Sequence, residues 1–235
     1  MVRWQAELVG HEFDLDDLRT QFSEPHARVR DENGHFYLEA SEFEPLADFD
    51  SVRAAAHRLL DRINGAMRLY NTSYRNVQLG PIQELKPDGS RSTVRTIGLD
   101  AVLERERAMP ITATGGAPAP ATTDRASRSV ELAAQDPDVA EALDLWANEV
   151  HNWVNLYKVF EIVRSRQGIN HGHVSKKEIT RFTRTANHQG AAGRAARHAR
   201  LPEDPPEHPM ALPDAERLVA RLLQAWIDTI RPADS

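Results

Sequence analysis

The chain contains no cysteine. Disulfides and thiolate metal sites are therefore excluded. It has no run of about 18 apolar residues, so no membrane span is expected. Its first residues, MVRWQAELVGHEFDLDD, are broken by charge within a few positions and lack the apolar core of a secretory signal. A cytoplasmic location is the expectation. Lysine is scarce, with only Lys86, Lys158, Lys176 and Lys177, while arginine and alanine are plentiful, a composition resembling that of a GC-rich bacterial genome. There is no internal repeat and no GxxxxGK[ST], GxGxxG, GxSxG or HExxH. Nucleotide-dependent phosphoryl transfer, dinucleotide redox chemistry and zinc peptidase activity thus lose their usual signatures.

What is present is ordinary in bulk and uneven in distribution. The 235 residues suffice for one large or two small domains. The segment Ile111–Arg125, ITATGGAPAPATTDR, is rich in Ala, Pro, Gly and Thr and has no apolar period. Such a stretch buries too little surface to offset its chain entropy, so residues 111–127 are expected to form a flexible linker. Residues 1–110 read as an α+β region, and residues 128–235 as an antiparallel helical bundle.

In the first region Arg3–Val9 alternates like a strand, and Asp14–Gln21 reads as a short helix, the acidic run Glu12–Asp17 marking its start. Asn33-Gly34 predicts a type I′ hairpin within Ala27–Ala40. Asp50–Tyr70 carries Val52, Ala56, Leu59, Leu60, Ile63, Met67 and Tyr70 on one helical stripe. A second hairpin is expected from Val77–Leu85 and Ser92–Leu99, turned at Pro87-Asp88-Gly89. The fold class is therefore α+β: a small, mostly antiparallel sheet with one main helix, then the linker and the bundle. In the bundle one long helix is expected from Pro137 to about Arg166. Its apolar set is Leu143, Trp146, Val150, Trp153, Val154, Tyr157 and Phe160, the aromatics being core rather than a ligand cage. Ser175 and Glu178 form a capping box for the next helix, Gly190 and Gly193 interrupt it, and Pro213 opens a last helix to about Ile230. Pro202–Pro209 is an extended connector.

Charge is concentrated where function is sought. Residues 151–200 hold ten Lys/Arg against Glu161 and Glu178, a balance of +8 in a chain of −6, which leaves −14 on the rest. Within it, Arg181–Arg200 (RFTRTANHQGAAGRAARHAR) has five arginines, two histidines and no carboxylate. A basic island on an acidic protein indicates an anionic partner. Arg181 and His188 are seven apart, and Arg194 and His198 four apart, so on a continuous helix each pair shares a face. An imidazole beside a guanidinium suits metal-free RNA cleavage: His188 or His198 moves the proton, while Arg181, Arg184 or Arg194 holds the phosphate. Arg197, Arg200, Lys176 and Lys177 would bind the RNA backbone. Asn187 would orient a phosphate or cap a broken helix. The competing readings are a solvated helix face, or a basic surface that docks an acidic protein or the acidic N-terminal half without turnover. The pair His171/His173 offers two metal ligands, with His188 or Glu178 as a third, but no carboxylate stands beside it and a solvated loop is expected; no metal and no cofactor are predicted.

A helical bundle with Arg181-FTRTAN-His188 and Arg194-AAR-His198 on its third helix resembles the HEPN superfamily. The resemblance covers about residues 130–232. Phe182 stands where that family often has a small polar residue, and Arg194-AAR-His198 is one residue short of the family spacing. The resemblance implies a dimeric helical bundle, an RNase of toxin, CRISPR or phage-defence type, and an Arg–His pair that carries the activity without metal, leaving a cyclic phosphate. In that reading two copies of the chain set their Arg–His pairs across a shared groove.

Overall fold

The computed structural model describes residues 3–86, 88, 90–94, 125–148, 150–167, 174–193, 204 and 206–231. The chain divides into two compact units, Met1–Gln135 and Asp136–Ser235.

The first unit is α+β, as expected. Six strands, β1 (Arg3–Val9), β2 (Ser23–Glu24), β3 (Ala27–Glu32), β4 (His35–Glu39), β5 (Gln78–Leu85) and β6 (Arg91–Val94), form one sheet in the order β2-β3-β4-β1-β5-β6. Every pairing is antiparallel. Period-two alternation sends Trp4, Ala6 and Leu8 of β1 into the core, where Ala6 and Leu8 register opposite Leu38 and Phe36 of β4. Asn33 and Gly34 both take positive φ, 58° and 83°, the geometry an I′ turn requires, and Gly34 N–H donates to Asp31 Oδ1 at 2.8 Å.

Helix α1 (Glu12–Gln21) starts two residues earlier than the sequence suggests, because His11 Nδ1 accepts from Phe13 N–H and caps it. Helix α2 (Phe49–Tyr70) is capped by Asp48, which accepts from the Ser51 N–H and hydroxyl at 2.9 and 2.7 Å, and its expected stripe is buried up to Met67.

Helix α3 (Arg125–Gln135) corrects the domain reading. Its face of Ala126, Ser129, Val130 and Ala133 is buried against α2, with Tyr70 Oη and Ser129 Oγ 3.2 Å apart. Residues 125–127 are thus the first turn of a helix and not linker, and the helical unit begins at Asp136 and not at 128. Residues 111–124, and the end of the expected second hairpin, lie outside the described residues.

The second unit is helical: α4 (Pro137–Trp146), α5 (Trp153–Gln167), α6 (Lys176–Asn187), the one-turn α7 (Gln189–Ala192) and α8 (Leu212–Thr229). α5 packs against α4, α6 and α8. The long helix expected from Pro137 to Arg166 is two helices. Polar side chains between Trp146 and Trp153 satisfy the backbone locally: Asn148 Nδ2 donates to Leu145 O at 2.8 Å, and Asn152 Oδ1 accepts from Asn155 N–H at 3.0 Å. Val150, placed by its spacing in the apolar set, is 80% exposed as a result, and Val154 is also exposed. Among the described residues no helix is long and apolar enough to cross a membrane.

Candidate nucleic-acid interface

Helix α6 owes its position to one apolar face. Ile179, Phe182 and Ala186 are buried with Thr185, while Lys176, Lys177, Thr180, Arg181 and Arg184 are exposed. The single carboxylate on this helix is Glu178, and it is bound within the capping box. Its Oε2 accepts from the Ser175 N–H (2.9 Å) and hydroxyl (2.8 Å), and its Oε1 accepts from Arg221 of α8 (3.0 Å). The Ser175 backbone N–H, then Arg221 and the Ser175 hydroxyl, hold the Glu178 carboxyl down to about 2. The exposed face of α6 therefore keeps its positive charge.

The sign of the pH effect follows. A carboxyl whose folded pKa is depressed stabilises the fold above its unfolded value and ceases to do so as pH falls through the folded one. Glu178 thus contributes from about pH 4.5 upward and progressively less towards pH 2. Glu178→Gln is expected to flatten the pH dependence of second-unit unfolding across this window, read by urea melts at several pH values; a slope identical to wild type would refute it.

The Arg181–His188 pair does not share a helix face. α6 ends at Asn187, and His188 is extended (φ −100°, ψ 121°), its Nδ1 accepting from Gly190 N–H at 3.0 Å. A proton on Nδ1 would break this cap, so acid–base work at that nitrogen opposes the local fold. Arg181 is turned to another purpose: Nε donates to His208 O and Nη2 to Pro209 O, both at 2.9 Å. Arg184 stands exposed on the same helix. Asn187 is half-buried, with Oδ1 shielded and no hydrogen-bond partner among the described residues. Gly193, at φ 63°, ends α7 as expected of a glycine interruption. Arg194, Arg197, His198 and Arg200, and the His171/His173 pair, lie outside the described residues.

Three features escape the sequence reading. Arg221 reaches α6 from α8 across 43 positions. His208 is exposed on the connector that Arg181 holds. His151 is buried, its Nδ1 2.9 Å from Glu216 Oε1, its Nε2 3.1 Å from Trp146 O, and its ring 4.3 Å from the Trp146 ring. An imidazole–carboxylate pair is the geometry of an oriented base. Here the second nitrogen faces the Trp146 carbonyl, so the pair fastens the α4–α5 connection to α8.

In the first unit Glu39 is buried between Arg3 (2.6 Å) and Arg30 (3.3 Å). The adjoining cavity, lined by Arg3, Arg28, Glu39 and Ser41 among others, holds about 110 Å³. That is below the roughly 300 Å³ at which ligand pockets begin. Among the described residues no three His, Asp or Glu side chains are grouped to hold a metal. In comparisons with protein-family models, curated proteins and solved structures, none matches this chain.

Proposed function

We propose that this is an RNA-binding protein of HEPN-like type, whose second unit presents the basic face of α6 to the phosphate backbone. The observation that carries this reading is the exposure of Lys176, Lys177 and Arg184 on a helix whose one carboxylate is bound by Ser175 and Arg221. Phosphates are held by such cations with little regard to sequence, and binding then weakens with salt. No metal or cofactor enters. Cleavage, where the HEPN resemblance is followed further, rests on Arg194 and His198, with Arg197 and Arg200 steering the strand. Arg181 and His188 leave the catalytic set, since each is tied to backbone groups of its own unit. A homodimer and a role in bacterial defence or toxicity remain parts of this proposal.

The test is fluorescence anisotropy with a labelled single-stranded oligoribonucleotide across a salt series. Replacing Lys176, Lys177 and Arg184 together by alanine is expected to reduce the slope of log K against log salt by about 2, at roughly 0.7 per phosphate contact. An unchanged slope would overturn the interface. Salt-sensitive binding of an acidic peptide, with none of RNA, would favour the docking module instead. Incubation with total RNA in EDTA, wild type beside His198→Ala, then separates cutting from binding.

A further inference from the structure

The connector before α8 is fastened to α6 at three consecutive residues. Arg181 takes the carbonyls of His208 and Pro209, and Thr185 Oγ1 accepts from Met210 N–H at 2.9 Å while donating to Arg181 O at 2.8 Å. Met210 is buried, and Pro209 fixes its own φ, so the path of these residues is closely set. His208 and Pro209 stay exposed. Lys177, Arg181 and Arg184 stand at i, i+4 and i+7, one face of α6. His208 is therefore held, through its own carbonyl, beside Arg181 of the basic stripe, with its side chain in solvent.

We propose that His208 is an RNA-contacting residue, donating a hydrogen bond to the ribose–phosphate backbone, and that Arg181 is a positioning residue that holds it there. This inference rests on the RNA-binding reading above. In place of the Arg181–His188 pair expected along one helix, it sets Arg181 and His208 together through space. Glu207, the exposed neighbour of His208, carries a negative charge that would oppose the approach of a phosphate strand there.

The experiment uses the full chain and a labelled single-stranded oligoribonucleotide, with unfolding followed in parallel. His208→Ala weakens binding about five- to tenfold, the size of one hydrogen bond, with an unchanged unfolding midpoint. Glu207→Gln tightens binding about twofold at low salt and loses that effect at high salt. Arg181→Lys keeps the charge but not the paired carbonyl bonds, and weakens binding as far as Arg181→Ala does. The double variant Arg181→Ala/His208→Ala is no weaker than Arg181→Ala alone, since both act through one contact. Wild-type affinity in His208→Ala, retained binding in Arg181→Lys, or additive losses in the double variant would overturn the assignment. Failure of the wild-type chain to bind RNA would instead overturn the RNA reading, and this inference with it.

Discussion

Phe182→Ala is expected to cost the second unit about 3–5 kcal/mol, as large-to-small changes at filled aromatic sites do. Phe182 is fully buried and is the largest apolar side chain that α6 sends inward. Its ring centroid lies 5.2 Å from Phe160 in an edge-on arrangement, 6.0 Å from Tyr157 in a stacked one, and 6.2 Å from Trp153. Each such pair adds about 0.5–1.5 kcal/mol beyond the area buried. Around it α6 has only Ile179, Ala186 and the polar Thr185 as buried neighbours, so the alanine variant leaves a cavity that one flexible side chain cannot fill. The consequence reaches the proposed interface, because the basic stripe and the Arg181–His208 fastening ride on this helix. Three of the four tryptophans, Trp146, Trp153 and Trp226, lie in the second unit, so urea unfolding followed by tryptophan fluorescence reads it directly. If the proposed RNA-binding role holds, RNA affinity falls together with the unfolding midpoint. A loss below about 1 kcal/mol would show that the aromatic cluster is not the anchor of α6.

Much of the fold is local enough to be legible. Asn33-Gly34 forces a turn through its own backbone preference, the α2 stripe shows its period within 22 residues, and Ser175 and Glu178 lie three apart. The missed features depend on distant partners. The apolar period runs on through Val150 and Val154, and nothing nearby announces that His151 is drawn inward by Glu216, 65 positions away. Ala126, Ser129, Val130 and Ala133 look like any helix face, and it is contact with α2 and β3 that assigns α3 to the first unit.

The same division runs through the candidate site. The cations Lys176, Lys177 and Arg184 are legible as charge, because exposure is the default for such residues. The role of Arg181 is not, because its partners are main-chain carbonyls 27 and 28 residues later, and a carbonyl has no sequence signature. For His188 the helical-spacing argument presumed a helix that stops one residue short of it. Spacing identifies candidate pairs; whether they form depends on where the helix ends and which backbone groups compete for their nitrogens.

Asn64→Ala should be the most damaging polar substitution in the first unit. Asn64 sits in the middle of α2, a poor place for asparagine on helix propensity alone, and it is buried. Its Oδ1 accepts from Tyr74 Oη (2.8 Å) and Val77 N–H (3.0 Å), and its Nδ2 donates to Val77 O (2.9 Å). One side chain thus satisfies three buried groups on the segment leading into β5. Burial first, and then the carboxylates of Asp14 and Asp17, push the Tyr74 hydroxyl far above its ordinary range, so it remains a neutral donor to Asn64. Alanine removes the three hydrogen bonds that Asn64 makes, each loss costing about 1–3 kcal/mol, and a net loss of about 3–5 kcal/mol is expected after relaxation. Asn64→Asp separates the causes. A protonated aspartic acid can still donate to Val77 O, but an ionised one cannot, and burial disfavours the ionised form. The folded pKa of the new carboxyl is therefore raised, and the variant's deficit grows as pH rises above about 4. Hydrogen exchange of the β1 and β5 amides at several pH values reads this. The aspartate deficit should widen with pH while the alanine deficit stays level; parallel deficits in the two variants would mean that shape, and not the three hydrogen bonds, is what Asn64 supplies.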